Sequence, residues 1–176
     1  MRLEDDVRKA ESYALSDDDI RKHMHGDVSI WLYEQLALLP DIRHHFKESN
    51  NVMLLYPTTS AYSGHWVTLM FHPEKNTIIY YDPYALKFDA LKYSSISPII
   101  VNTLPQLIAR FKKEGGKFFM NSLRMQKLED GNNTCGRHCL VRMMLRGMNN
   151  KQYEDYLQFK KLNPDEIVTL ITMDTI

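Results

Sequence analysis

The chain has 176 residues, enough for one domain with a single core, and 22 basic residues balance 22 acidic ones. That neutrality gives no global electrostatic case for nucleic acid or a membrane surface, and no apolar run approaches the roughly 20 residues that span a bilayer. The N-terminus, Met1 to Asp6, lacks an apolar segment of signal-peptide type, and the two cysteines, Cys135 and Cys139, sit one helical turn apart, where they would staple nothing; a reducing, intracellular setting is expected.

In chain order, residues 1–26 are charged with scattered apolar positions, an expected helical arm in which Ser16 and Asp19 have the form of a helix start. Residues 28–39 carry apolar side chains at helical spacing up to Pro40, which predicts a helix, and Asn51 to Tyr56 reads as a short strand. Two β-branched and aromatic runs follow, 65–71 and 76–82, joined by His72-Pro73-Glu74-Lys75, which predicts a hairpin. If Phe71 pairs with Asn76, His65 lies directly opposite Asp82, on the same face and roughly 5 Å away between Cβ atoms. A slip of one residue would separate them. Large apolar groups on both faces predict a central strand pair. After a loop containing Pro83 and Pro98, residues 99–114 read as an amphipathic helix closed by Gly115-Gly116, and Lys117 to Met120 as a brief strand. A polar loop from Gln126 leads to a helix from Cys135 to about Arg146, and two helices, 151–161 and 164–173, complete the chain.

The stretch Thr134-Cys135-Gly136-Arg137-His138-Cys139 organises the chemistry. A thiol attacks a carbonyl as thiolate, and both a helix N-terminus and a neighbouring imidazolium lower its pKa by stabilising that anion. Cys135 stands at a predicted helix start with Thr134 as the expected cap, and Gly136 leaves room for substrate backbone. Cys139, among Leu140, Val141 and Met143, suits a core role instead. His65 is the candidate base and Asp82 the group that holds its tautomer. His23, His25, His44, His45 and His72 read as surface residues, and His138 as too close to Cys135 on one helix to serve as its base. An oxyanion needs two donors, and the Cys135 backbone N–H and the Gln126 side chain are the candidates. Cys135, His138 and Cys139 could also ligate zinc, the weakest option, since structural sites usually pair Cys-x-x-Cys with distant ligands.

Gly64-His65-Trp66, Tyr81-Asp82-Pro83-Tyr84, Gln126 and Thr134-Cys135-Gly136 together resemble the adenovirus-protease and SUMO-protease clan of cysteine peptidases, whose members have the order His, Asp, Gln, Cys. The resemblance spans roughly residues 28–148; Trp31-Leu32 is similar to the start of the SUMO-protease domain. It implies Cys135 as nucleophile, His65 as base, Asp82 as orienting acid, Gln126 as oxyanion donor and Trp66 lining a narrow groove that admits glycine. Gln126 stands nine positions before Cys135, a longer gap than the family usually has, so Asn132 and Asn133 are alternatives for that role. The implied fold is α+β, a central, mostly antiparallel sheet flanked by helices in a single domain over 1–176, with the site where the Cys helix meets the sheet. The compact chain and its Cys-Gly-Arg-His-Cys string are most similar to maturation proteases of virophages, large DNA viruses and related transposons. The resemblance implies no cofactor and no metal, and a protein substrate, capsid or other structural precursors cut at Gly-Gly-X or Gly-X sites. It also implies a monomer acting in the host cytoplasm or viral factory, with the virion as a further location. Some relatives require an activating peptide or DNA, for which this neutral chain offers no clear site. Removal of a ubiquitin-like modifier, and a non-catalytic capsid-associated binding protein, are the competing readings.

Overall fold

The computed structural model describes residues 2–60, 63–86, 100–158 and 161–176. A five-stranded sheet runs in chain order, β1 (Ser29–Leu32), β2 (Asn51–Ser60), β3 (Ser63–His72), β4 (Thr77–Tyr81) and β5 (Lys117–Met120). Its centre, β2–β3–β4, is antiparallel, and the edge strands β1 and β5 add in parallel. Among the described residues six helices flank it: α1 (Arg2–Ser12), α2 (Asp17–His23), α3 (Thr103–Lys113), α4 (Cys135–Met144), α5 (Asn150–Gln158) and α6 (Pro164–Thr172).

Alternation along the central strands builds two cores. Val52, Leu54 and Tyr56 of β2 face one way and pack with Leu104, Leu107, Ile108 and Phe111 of α3. Met53 and Leu55 face the other way and pack with Trp66, Met70 and the α4 side chains Cys139, Leu140 and Met143. The sheet is therefore sandwiched between α3 and α4, and full burial of each such side chain contributes roughly 1.5–3 kcal/mol. A third cluster joins Tyr81 and Val141 to Tyr153 and Leu157 of α5 and Ile167 and Val168 of α6. Leu15 and Ile20 tie the N-terminal arm into the α4 side.

Local signals account for several ends. Ser16 and Asp19 form a reciprocal capping box on α2, with the Asp19 N–H donating to Ser16 Oγ and the Ser16 N–H donating to Asp19 Oδ2. Gly115, at φ 95°, turns the chain after α3 in the left-handed region, and the Gly116 N–H donates to Phe111 O. The α3 helix begins at Thr103 rather than at 99; Pro98 and Ile99 lie outside the described residues.

The helix expected over 28–39 is absent. Ser29–Leu32 form β1 against β2, and Tyr33–Leu38 form a 3₁₀ turn. Ile30, Trp31 and Leu32 suit a pleated surface as well as a helix, and the free edge of β2 decides in favour of the strand. The hairpin register is also corrected. Phe71 pairs with Ile78, two residues beyond the expected partner, and the connection is Pro73–Asn76. Pro73 has no N–H to offer a ladder, and Asn76 adopts the left-handed conformation at φ 45°. A shift of two keeps each side chain on its face, so His65 and Asp82 still share one, diagonally rather than directly opposed.

Candidate active site

Cys135 is the first residue of α4 and only 8% exposed, placed against β3 where helix and sheet meet. His65 comes from β3, which lies between β2 and β4. Asp82 stands just past β4, in the Asp82-Pro83-Tyr84 turn closed by the Ala85 N–H donating to Asp82 O. His65 Nε2 lies 2.6 Å from Asp82 Oδ1, and the imidazole is near enough to the Cys135 side chain for each to shift the other's protonation. The carboxylate only accepts, so Nε2 carries the proton and Nδ1 is left to exchange one with sulfur.

The acid is held from several sides. Asp82 Oδ1 also accepts from the Tyr84 N–H at 2.8 Å, and Oδ2 from the Leu86 N–H at 3.3 Å. Asn121, one residue past β5, clamps the Asp82 backbone, accepting from its N–H at 2.9 Å and donating to its carbonyl at 2.6 Å. The Tyr84 ring stacks on the His65 ring at 4.5 Å and 16° between planes. The imidazole is thus fixed both in plane and along its normal.

Burial alone would favour neutral forms here. It pulls His65 down, but hydrogen bonds to Asp82 and Cys135 and their negative charge outweigh it and raise His65 to about 9. Burial likewise pushes the Cys135 thiol up, yet the His65 hydrogen bond and charge, with backbone N–H groups of Trp66 and Gly136, bring it below its ordinary value. Both directions favour a thiolate–imidazolium pair. Cys139, by contrast, is pushed well up by burial and donates to Trp66 O at 3.5 Å, as a core thiol.

Gln126 is 1% exposed, and its backbone N–H donates to Pro83 O at 3.1 Å, beside the Asp82 turn. Its side chain is loosely held: Nε2 lies 3.5 Å from Asn132 O, and Oε1 is buried without a partner among the described residues. The two alternatives are engaged to different degrees, Asn132 through both amide hydrogens and Asn133 through one. Asn132 Nδ2 donates to Lys127 O and Asp165 Oδ2, and Asn133 Nδ2 donates to Ser12 O.

A cleft of about 670 Å³ opens beside Cys135, lined by Leu15, Leu55, Gly64, Trp66 and Asn133 among others. Trp66 Nε1 donates to Leu15 O at 3.1 Å, which locks the indole against the N-terminal arm. The space beside Gly136 is filled by the chain itself: a Cβ there would meet Leu15 carbons at 3.1 Å. Gly136 thus makes room for the arm, where the sequence suggested room for a substrate.

Several features were not foreseen. Thr134 makes no cap bond to α4; its hydroxyl lies 2.8 Å from both Asp165 Oδ1 and Asn132 Oδ1. His138 is fully buried, with Nε2 2.8 Å from Asp165 Oδ1. His45 is buried too, not on the surface, with Nε2 3.1 Å from Leu39 O and its ring edge-on to Trp31. The only sequence signal for Asp165 was its place in the Asn163-Pro164-Asp165-Glu166 helix start, which by itself indicates a cap and nothing more.

No protein-family model matches the chain. The Sputnik virophage protein described as "Uncharacterized protein V9" is 29% identical over 178 residues, covering 96% of this chain and 99% of its own length. Among solved structures, the ASFV pS273R protease superposes with a TM-score of 0.55 at 12% identity, over 92% of this chain and 67% of that one. The C-terminal Ulp1 protease domain, solved in complex with Smt3, the yeast ortholog of SUMO, matches more loosely, at a TM-score of 0.42 and 14% identity over 93% of this chain and 78% of that one. The α+β fold, a five-stranded sheet between helices, is shared with the ASFV pS273R protease. Among the described residues, no helix is long and apolar enough to cross a membrane.

Proposed function

We propose that the protein is a cysteine endopeptidase in which Cys135 is the nucleophile, His65 the general base and acid, Asp82 the orienting carboxylate and Gln126 an oxyanion donor. The observation that carries this reading is the buried His65–Asp82 hydrogen bond set beside Cys135, the first residue of a helix packed on β3. The thiolate attacks the scissile carbonyl carbon, and the carbonyl π pair moves to oxygen. Helix N-terminal N–H groups and the Gln126 amide stabilise that oxyanion, each donor being worth about 3 kcal/mol of barrier. As the C–N bond breaks, the His65 imidazolium gives its proton to the departing amine. Water then adds to the thioester, its proton passing to His65, and collapse of the second intermediate releases the acid and restores thiolate and imidazolium. Asn132 has both amide hydrogens engaged and Asn133 has one held by Ser12 O, which favours Gln126 for the donor role.

The substrate is a protein, entering the cleft bounded by Trp66 and Leu15. Kinship with a virophage protein and the fold of a viral protease favour structural precursors of a virus, cut at Gly-Gly-X or Gly-X sites, over a ubiquitin-like modifier. The test is cleavage of a Gly-Gly-X peptide panel, of capsid precursor and of modifier fusions by the wild type and Cys135→Ala. Cleavage of peptides and precursor, lost in the variant, is expected. Preference for a folded modifier fusion would move the substrate to the isopeptidase class. No cleavage with an alkylation-resistant Cys135 would overturn the peptidase reading altogether.

A further inference from the structure

Asp165 stands in the first turn of α6, on an element that carries none of the proposed catalytic groups, yet it is 4% exposed and surrounded by donors. Its Oδ1 lies 2.8 Å from Thr134 Oγ1 and 2.8 Å from His138 Nε2. Its Oδ2 accepts from the Lys127 N–H at 3.1 Å and from Asn132 Nδ2 at 3.2 Å. Two carboxylate oxygens offer about four lone-pair directions, and four donors occupy them. Burial would push this carboxyl up, but the His138 and Thr134 hydrogen bonds and the Lys127 N–H hold it below its ordinary value, so it stays ionised.

The donors belong to the two segments that carry the proposed oxyanion donors. Thr134 immediately precedes Cys135, and His138 lies one turn on in α4; Lys127 immediately follows Gln126, and Asn132 closes the same loop. Asn132 Oδ1 in turn accepts from the Thr134 N–H at 3.3 Å. The Thr134 hydroxyl has one hydrogen for two acceptors, Asn132 Oδ1 and Asp165 Oδ1, so this strut depends on both. Gln126 itself is weakly tethered through its side chain, so its location is set by its backbone neighbours.

We propose that Asp165 is a positioning residue of the reaction: from α6 it fixes the Gln126 loop relative to the N-terminus of α4, and so sets the spacing of the oxyanion donors. The proposal rests on the cysteine-peptidase reading above. The thiolate–imidazolium pair is assembled separately, from β3, the Asp82 turn and Cys135. Loss of Asp165 therefore reduces stabilisation of the tetrahedral intermediate without discharging the thiolate. Displacement of a reacting group by about 1 Å from a remote change can cost on the order of 100-fold.

The experiment compares wild type, Asp165→Asn, Asp165→Glu, and Asp155→Asn as a control at an exposed carboxylate. Three quantities are read: kcat and KM on a cleaved Gly-Gly-X peptide, the pH profile of Cys135 alkylation by iodoacetamide, and Tm. For Asp165→Asn, kcat is expected to fall about 10- to 100-fold, with KM and the alkylation profile within about threefold of wild type. Asp165→Glu, which restores the charge, is expected to recover part of kcat, and the control to match wild type. Wild-type kcat in Asp165→Asn overturns the proposal and leaves the peptidase reading intact, as does a loss of alkylation in step with kcat, which would mark general disruption. If Asp165→Asn does not fold, Thr134→Val carries the test, with the same expected split and the same overturning results. A wild type that cleaves nothing, with Cys135 inert to iodoacetamide, defeats the underlying reading instead.

Discussion

The described residues include two buried histidine–carboxylate pairs of almost equal length, His65–Asp82 at 2.6 Å and His138–Asp165 at 2.8 Å, and they behave in opposite ways. His65 is raised to about 9, whereas burial wins at His138 and holds it below its ordinary value. The difference lies on the far side of each ring. His65 has a second anionic partner in the Cys135 sulfur; His138 Nδ1 is buried with no partner among the described residues, and the charge of His65 further opposes its protonation. A carboxylate neighbour is therefore not enough to make a buried imidazole basic. Where four donors already share the carboxylate, as at Asp165, the neutral Nε2–H tautomer suffices.

The largest effect that would break this contrast is at the first pair. Asp82→Asn can still accept from His65 but no longer supports the imidazolium, and kcat for peptide cleavage is expected to fall about 10³- to 10⁴-fold with Tm little changed. A smaller loss would mean that Tyr84 stacking and burial orient His65 by themselves. Next in size, His65→Gln should slow alkylation of Cys135 at pH 6 by about 100-fold, because the thiol returns to an ordinary or raised pKa; His138→Gln should leave that rate within about threefold. Equal losses in the two variants would erase the distinction drawn here.

The pH dependence sharpens it further. Cleavage should rise with pH as Cys135 loses its proton, below the usual thiol range, and fall above about 9 as His65 loses the proton owed to the leaving amine. Alkylation needs only the thiolate and should rise without the alkaline fall. The smallest effect concerns stability. His138 has a folded pKa below 6.5, so the folded state binds fewer protons than the unfolded chain, and stability is lost as pH falls through about 6.5. Tm measured from pH 7 to 5 should decline less steeply in His138→Gln than in wild type; a parallel decline would show that His138 charges as readily folded as unfolded.

Much of this was legible in the linear order of residues. Helix starts at Ser16-Asp17 and Asn163-Pro164, the β-branched runs of β3 and β4, and the apolar rows of α3 and α4 are local signals, and each element forms where those signals stand. The set His65, Asp82, Gln126 and Cys135 was likewise nameable from residue type and order, and the structure gathers His65, Asp82 and Cys135 at one point. The exchange of a helix for β1 at 29–32 was not legible, because its apolar pattern fits either state until β2 presents a free edge. Nor was the two-residue change in hairpin register, which the turn at Pro73–Asn76 decides.

By itself, then, the sequence determined which groups are available for the chemistry and which face of each element they occupy, since those follow from residue type and backbone period. Only the tertiary structure decided which partner each group takes. Thr134 turns from its helix to Asp165, Leu15 fills the space beside Gly136, and among the three imidazoles buried in the described residues His65 is the one set beside the Cys135 thiol. These pairings join residues far apart in the chain, and their energies depend on burial and charge that exist only once the helices have packed on the sheet.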